Sequence, residues 1–127
     1  MSEKVTTQIS IDLKKHRIRV HKESLRLMGD PKYVQFLVSV DRSMIAVRGV
    51  DTDVGDAAAI RISLPQLASD FSIEIYSTSL VNKLAEVFSG FDTNCTYRLT
   101  GTVLTEERAT VFPISTLQKV EVLRYWT

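Results

Sequence analysis

The chain has 127 residues, of which 44% are hydrophobic and 24% charged, and its formal net charge is +1. This length suits one domain with its own core, and the composition argues against disorder. The near-neutral charge excludes an overall field that would drive the chain toward nucleic acid or membrane, so any basic surface must be local. A single cysteine, Cys95, excludes an internal disulfide and a thiolate metal cage.

The first half alternates apolar and polar residues in short runs, which is typical of half-buried strands. Gly29 suits the left-handed end of a short helix, and the following Pro31 prevents its continuation. Asp41-Arg42-Ser43 is a turn that predicts a hairpin. The predicted elements are, in order, a strand over Gln8–Leu13, a strand over Arg17–Val20, a helix over Lys22–Met28, and strands over Tyr33–Val40, Met44–Val50 and Ala57–Ser63.

The second half begins with another alternating run at Phe71. Ser77, Thr78 and Ser79 offer N-cap hydroxyls for a helix that extends to about Phe88, with a predicted apolar stripe at Leu80, Leu84, Val87 and Phe88. Thr105-Glu106-Glu107 forms the turn of a second hairpin. The predicted strands are Phe71–Tyr76, Cys95–Val103, Arg108–Ile114 and Gln118–Tyr125.

The two halves correspond at a constant offset. Arg17–Leu25 aligns with Ser72–Leu80, so that Ile18 matches Ile73 and Leu25 matches Leu80. We therefore predict one α+β domain over 1–127 with two β-α-β-β(-β) repeats, antiparallel sheets and two helices on one side. The halves are expected at about 8–63 and 70–125, joined by a linker at about 64–69.

Catalytic motifs are missing from the sequence. His16 and His21 are the only histidines and have no metal-ligand spacing, and there is no nucleophile elbow or glycine-rich phosphate loop. The acidic loop that starts at Asp51 fails as a calcium loop, because Ile62 occupies the position of the bidentate glutamate. The sequence predicts a protein that is not an enzyme and that has no cofactor or metal.

The densest basic run lies at the start of the chain and favours phosphate contacts, since Lys and Arg release counterions when they neutralise a nucleic-acid backbone. A solvated polar face remains the alternative for so short a run. No window approaches about 18 consecutive apolar residues, and Met1–Lys15 has no signal-peptide pattern, so we expect a cytoplasmic protein without a membrane partner. The candidate nucleic-acid-binding residues are Lys14, Lys15, Arg17, Arg19, Lys22, Arg26 and Lys83.

Two strand–helix–strand units within one domain resemble a domain of the DNA sliding clamps, over roughly Arg17 to Val122. The resemblance is carried by Met44–Asp53 followed by Ala59–Ile62, and by Ser79–Phe88 followed by two further strands. It implies helices that face double-stranded DNA in a ring lumen, with Lys22, Arg26 and Lys83 as lumen residues. A ring built from this domain would be a homo-oligomer, and DNA-processing proteins are its expected partners.

A second resemblance is local. Ile18–Gly29 is similar to the strand, short helix and terminal glycine of AbrB-type swapped-hairpin transcription factors, although Gly29-Asp30-Pro31 replaces their usual turn and Phe71–Thr127 stays unexplained. This alternative implies an intertwined dimer that binds DNA through Arg17, Arg19, Lys22 and Arg26. A protein-interaction scaffold that binds no nucleic acid is the third alternative, since the net charge is close to zero.

Overall fold

A computed structural model describes residues 5–52, 59–61, 72–87 and 92–120. The strands of these residues form one curled antiparallel sheet, and two helices pack against it. The strands are Val5–Asp12 (β1), Arg17–His21 (β2), Tyr33–Val38 (β3), Met44–Val50 (β4), Ala59–Arg61 (β5), Ser72–Tyr76 (β6), Thr96–Leu104 (β7), Ala109–Pro113 (β8) and Gln118–Val120 (β9). The helices are Lys22–Leu27 (α1) and Thr78–Val87 (α2), and short 3-10 turns cover Thr105–Glu107 and Ile114–Thr116.

The strand order is β5-β3-β4-β8-β7-β1-β2-β6, and β9 pairs with β7 beside β8. The strands β1, β2, β3 and β4 can be exchanged in order for β5, β6, β7 and β8. The β1–β7 pair then becomes the β5–β3 pair, and the β3–β4 pair becomes the β7–β8 pair. The β4–β8 and β2–β6 pairs are each unchanged by this exchange. Arg19 and Glu74, which correspond at the sequence offset, also face each other in the β2–β6 pair. The exchange fails for the β1–β2 pair, because β5 and β6 lie at opposite ends of the strand order.

The end of α1 is built as its sequence predicts. Gly29 has a φ of 84°, and the Asp30 N–H donates to the Leu25 carbonyl at 2.9 Å, which closes the helix with a left-handed turn. Ser77 directly precedes α2 and caps it, since its Oγ accepts the Leu80 N–H at 3.2 Å. Leu84 is buried as predicted, Leu80 and Val87 are half-buried against the core, and Val81 joins them as a buried residue that the predicted stripe did not include. Phe88 lies outside the described residues.

The β3–β4 hairpin forms where the sequence predicts it, but its tip extends beyond the core. Val34 and Phe36 are buried, whereas Val38 is 40% exposed and Val40 lies fully in solvent. The strand predicted over Tyr33–Val40 therefore ends at Val38, and the core does not cover its last part. Apolar and polar residues continue to alternate in the sequence beyond the point where the core covers the hairpin.

The core is one cluster that joins the inner side of the sheet to both helices. Leu25 and Met28 at α1 and Val81 and Leu84 on α2 pack with the buried strand residues, and half-buried Cys95 packs at its margin. No described helix is both long and apolar enough to cross a membrane. The predicted linker at 64–69, most of the strand predicted over Ala57–Ser63 and the end of the strand predicted over Gln118–Tyr125 lie outside the described residues.

Candidate nucleic-acid interface

Two rows of side chains cross the outer side of the sheet from β6 through β2 and β1 to β7. Their places follow from the strand registers, and they point away from the core because side chains alternate along a strand and the intervening residues are buried. We call these side chains the arginine face; its first row is Tyr76, Arg17, Asp12 and Thr96, and its second row is Glu74, Arg19, Ser10 and Arg98.

A groove of about 230 Å³ opens on the arginine face. Three arginines from two strands line it, namely Arg17 and Arg19 from β2 and Arg98 from β7, although β2 and β7 are separated by β1. Arg19 and Arg98 both pair with Ser10, one from each side, which sets their Cα atoms roughly 10 Å apart. The groove therefore brings together guanidinium groups that are far apart in sequence.

Two of these arginines are held by carboxylates. Arg19 Nη2 donates to Glu74 Oε1 at 2.8 Å, and Arg17 Nη1 lies 3.7 Å from the same oxygen. Arg17 Nη2 also lies 3.4 Å from Asp12 Oδ2. Three arginines thus face two carboxylates, so the arginine face carries one surplus positive charge.

The Glu74 carboxylate interacts with three neighbouring side chains, those of Tyr76, Arg17 and Arg19. The Tyr76 hydroxyl donates to Glu74 Oε2 at 2.8 Å, and this bond, together with the one from Arg19, holds the pKa of Glu74 below its usual range. A hydrogen bond with Tyr76, and then the charges of Glu74 and Asp12, raise the pKa of Arg17. The face is therefore an organised network that stabilises the ionised form of Glu74.

Arg98 differs from its two neighbours because it forms no ion pair with any carboxylate in the described part of the chain. It is half-buried, and its guanidinium lines the groove. Arg98 is not among the candidate residues predicted from the sequence. The alternation of Arg98 with buried Tyr97 and Leu99 marks it as outward-facing, but only the pairing of β7 with β1 places it near Arg19.

Four of the predicted basic residues lie on the β1–β2 hairpin. Arg17 and Arg19 are on the arginine face, and Lys14 and Lys15 are exposed in the turn that follows Asp12. Asp12 Oδ1 accepts the Lys15 N–H at 3.0 Å, which fixes this turn beside the first row. The lysines therefore extend the positive charge from the groove toward the end of the hairpin.

The other three predicted residues lie on the helices, which pack against the opposite side of the sheet. Lys22 is half-buried, Lys83 is exposed on α2, and Arg26 is exposed with Nη1 3.6 Å from Glu23 Oε2. Glu23 and Glu86 accompany these cations on the same helices. The structure thus divides the seven predicted residues into two groups on different sides of the sheet and does not bring them into one patch.

A larger cleft, of about 330 Å³, lies between β1 and α1. The ionisable side chains in its lining are His21 and Glu23, so it offers no lysine or arginine for a phosphate. Hydroxyls line its inner part, where Thr7 Oγ1 and Ser24 Oγ are 2.7 Å apart. Within the described ranges, no group of three His, Cys, Asp or Glu side chains is arranged to hold a metal ion.

Comparison with known proteins adds no relative to this picture: no protein-family profile, curated protein or solved structure matches the chain.

Proposed function

We propose that this domain is a non-catalytic, clamp-like binding module that associates with nucleic acid through phosphate contacts on the arginine face. The observation that carries the proposal is the convergence of Arg17 and Arg19 from β2 with Arg98 from β7 in one groove. The planar fork of a guanidinium matches a phosphate with two parallel hydrogen bonds. An anion between Arg19 and Arg98 would also reduce the repulsion between their charges.

Arg98 is the strongest phosphate candidate because its donors are not committed to a carboxylate among the described residues. Ser10 and Thr96 add hydroxyl donors along the same groove. Arg17 and Arg19 would share their charge between a phosphate and their existing partners, so each would contribute less than Arg98. Lys14 and Lys15 would add exposed charges at the end of the hairpin.

The clamp-like part of the proposal is supported by the strand pairing, in which each half supplies strands, a helix and a hairpin in the same order. The resemblance implies that Lys22, Arg26 and Lys83 face double-stranded DNA. The charges favour the other side of the sheet, because Glu23 and Glu86 offset the helix cations. A clamp-like ring would be assembled from several copies of the chain, which measurement of the mass in solution would test.

The deciding experiment measures binding of fluorescent oligonucleotides, single-stranded and duplex, over a range of salt. The Arg98→Gln variant should bind more weakly, with a salt slope smaller in magnitude by about 0.7 to 0.9, since one phosphate contact is lost. The Glu74→Gln variant should bind more tightly, because it removes a competing carboxylate from Arg17 and Arg19. A gain in affinity cannot result from damage to the fold.

Lys83→Gln is the matched control, since it removes one exposed cation from α2 while the arginine face stays intact. It should leave both affinity and salt slope unchanged. If Lys83→Gln weakens binding and Arg98→Gln does not, the helices carry the contact, as the clamp resemblance implies. Failure of the wild-type protein to bind any oligonucleotide at low salt would reject nucleic-acid association altogether.

A second candidate function, protein docking, is favoured by the tip of the β3–β4 hairpin. Val40 lies fully in solvent at the tip, and Leu37, Val38 and Met44 at the adjoining ends of the two strands are between 37% and 40% exposed. Exposed apolar side chains grouped in this way are typical of protein contacts. This scaffold function predicts that Val40→Ser abolishes capture of a protein partner while oligonucleotide binding is unaffected.

A further inference from the structure

Tyr76 is the aromatic residue of the arginine face, and its ring is unusually open. The side chain is 64% exposed at the β6 end of the first row, directly across from Arg17. Its hydroxyl is fixed by donation to Glu74 Oε2 at 2.8 Å, so the polar end of the side chain is held down while the ring meets solvent. The ring is therefore oriented in advance and offers a flat apolar surface beside Arg17, at one end of the arginine face.

We infer that the arginine face selects single-stranded nucleic acid, with a base stacked on Tyr76 and the adjoining phosphates bound by Arg17, Arg19 and Arg98. This inference rests on the proposed function and names the form of nucleic acid. An unpaired base can turn its π-face to an aromatic side chain, and such stacking is tolerant of sequence because every base has that face. In a duplex the same faces are covered by neighbouring base pairs, so Tyr76 would have no base to contact.

The spacing on the sheet suits this arrangement. Tyr76 and Arg98 lie three strand intervals apart, roughly 14 Å measured across the strands, in adjacent rows with Arg17 and Arg19 between them. A strand that crosses the sheet would meet the aromatic ring first and the guanidinium groups next. Single-strand binding surfaces generally combine a stacking platform with a positively charged groove, and both are present here within two rows of side chains.

The test compares three probes with strands of about fifteen nucleotides: an oligothymidine strand, the same backbone without bases, and a duplex that contains the oligothymidine strand. We expect the wild-type protein to bind the oligothymidine roughly tenfold more tightly than the abasic strand, because stacking contributes to binding only where a base is present. It should also favour the oligothymidine over the duplex. These comparisons use the wild-type chain, so they do not depend on the folding of a variant.

Two variants assign the preference to Tyr76. Tyr76→Leu removes the ring and should abolish the difference between oligothymidine and abasic strand, while Tyr76→Phe keeps the ring and should retain it. Equal wild-type affinity for the abasic and natural strands, or tighter binding of the duplex, would overturn the inference and leave the proposed phosphate contacts standing. An unchanged base preference in Tyr76→Leu would also overturn it. Absence of binding to all three probes would reject the proposed function itself.

Discussion

Arg108 binds both carboxylate oxygens of Asp51, with Nη1–Oδ2 and Nη2–Oδ1 distances of 2.8 and 2.9 Å. Its Nε donates to the Met28 carbonyl at the end of α1, at 2.7 Å, and its own carbonyl accepts the Gly49 N–H at 2.7 Å. The residue lies in the turn between β7 and β8 with a φ of 53°. One side chain thus joins three parts of the chain, and the bond from Arg108 is the main cause of the lowered pKa of Asp51.

Replacement of Arg108 by alanine should lower the free energy of unfolding by about 2 kcal/mol, because it removes a charge-assisted bond to a helix-end carbonyl and the pair with Asp51. Urea denaturation would measure the loss. Arg42→Ala is the matched control, since Arg42 also has a left-handed backbone, with a φ of 59°, and an exposed side chain without a described ion pair. Equal losses in the two variants would show that the bonds of Arg108 contribute nothing to stability.

The surroundings of Arg108 and Arg98 could not be predicted from this sequence. Local alternation and turn residues were sufficient to predict the β3–β4 and β7–β8 hairpins, α1 and the start of β6, since each depends on residues near in sequence. Arg98 lies beside Arg19 because β7 pairs with β1, and Arg108 reaches Met28 across 80 residues of sequence. Periodicity shows which side of a strand is outward, but it does not tell which strands become neighbours.

Gly101 in the middle of β7 should not tolerate a side chain. A Cβ at this position would lie 2.3 Å from the Val111 carbonyl oxygen and 2.6 Å from Phe112 Cδ1. Since backbone and a buried ring cannot both move aside, Gly101→Ala should destabilise the protein by roughly 3 kcal/mol. Thermal melting would detect this as a large drop in Tm, whereas Thr102→Ala on the same strand should cause a small one; a native-like Tm for Gly101→Ala would contradict the close packing.

Asp41 should make stability depend on pH in acid solution. Asp41 Oδ1 accepts hydrogen bonds from Ser39 Oγ at 2.8 Å, Ser43 Oγ at 2.7 Å and the Ser43 N–H at 3.0 Å, which lower the pKa of Asp41 to about 2. In the unfolded chain the pKa is about 4. Because the folded pKa is lower, the stabilisation is complete above about pH 4 and is lost as the pH falls through about 2.

Two measurements would check this pH dependence. An NMR titration of the Asp41 carboxyl carbon should have its midpoint near 2. The free energy of unfolding of Asp41→Asn should fall less steeply than that of the wild-type protein as the pH is lowered through this window. A midpoint near the ordinary value of about 4 would show that the serine hydrogen bonds do not persist in solution.

Thr116 should be needed to satisfy the backbone hydrogen bonds of β7 at the point between β8 and β9, which pair with the same edge of β7. β9 pairs with Thr96 to Arg98 and β8 with Thr102 to Leu104, so Thr100 lies between the two ladders. Thr116 Oγ1 accepts the Thr100 N–H at 3.0 Å and lies within donating distance of the carbonyls of Pro113, at 2.6 Å, and Thr100, at 3.0 Å. The hydroxyl therefore replaces a missing strand neighbour at this point.

Thr116→Val keeps the shape of the side chain but leaves the Thr100 N–H without an acceptor, which should cost about 1 to 2 kcal/mol of stability. Thr116→Ser keeps the hydroxyl and should preserve most of the stability. Hydrogen exchange resolves the effect at the site: the Thr100 amide should lose protection in Thr116→Val, while amides deeper in the β1–β7 ladder change only with global stability. Unchanged protection of the Thr100 amide in Thr116→Val would mean that another group accepts this hydrogen bond, and the gap between β8 and β9 would then be closed without Thr116.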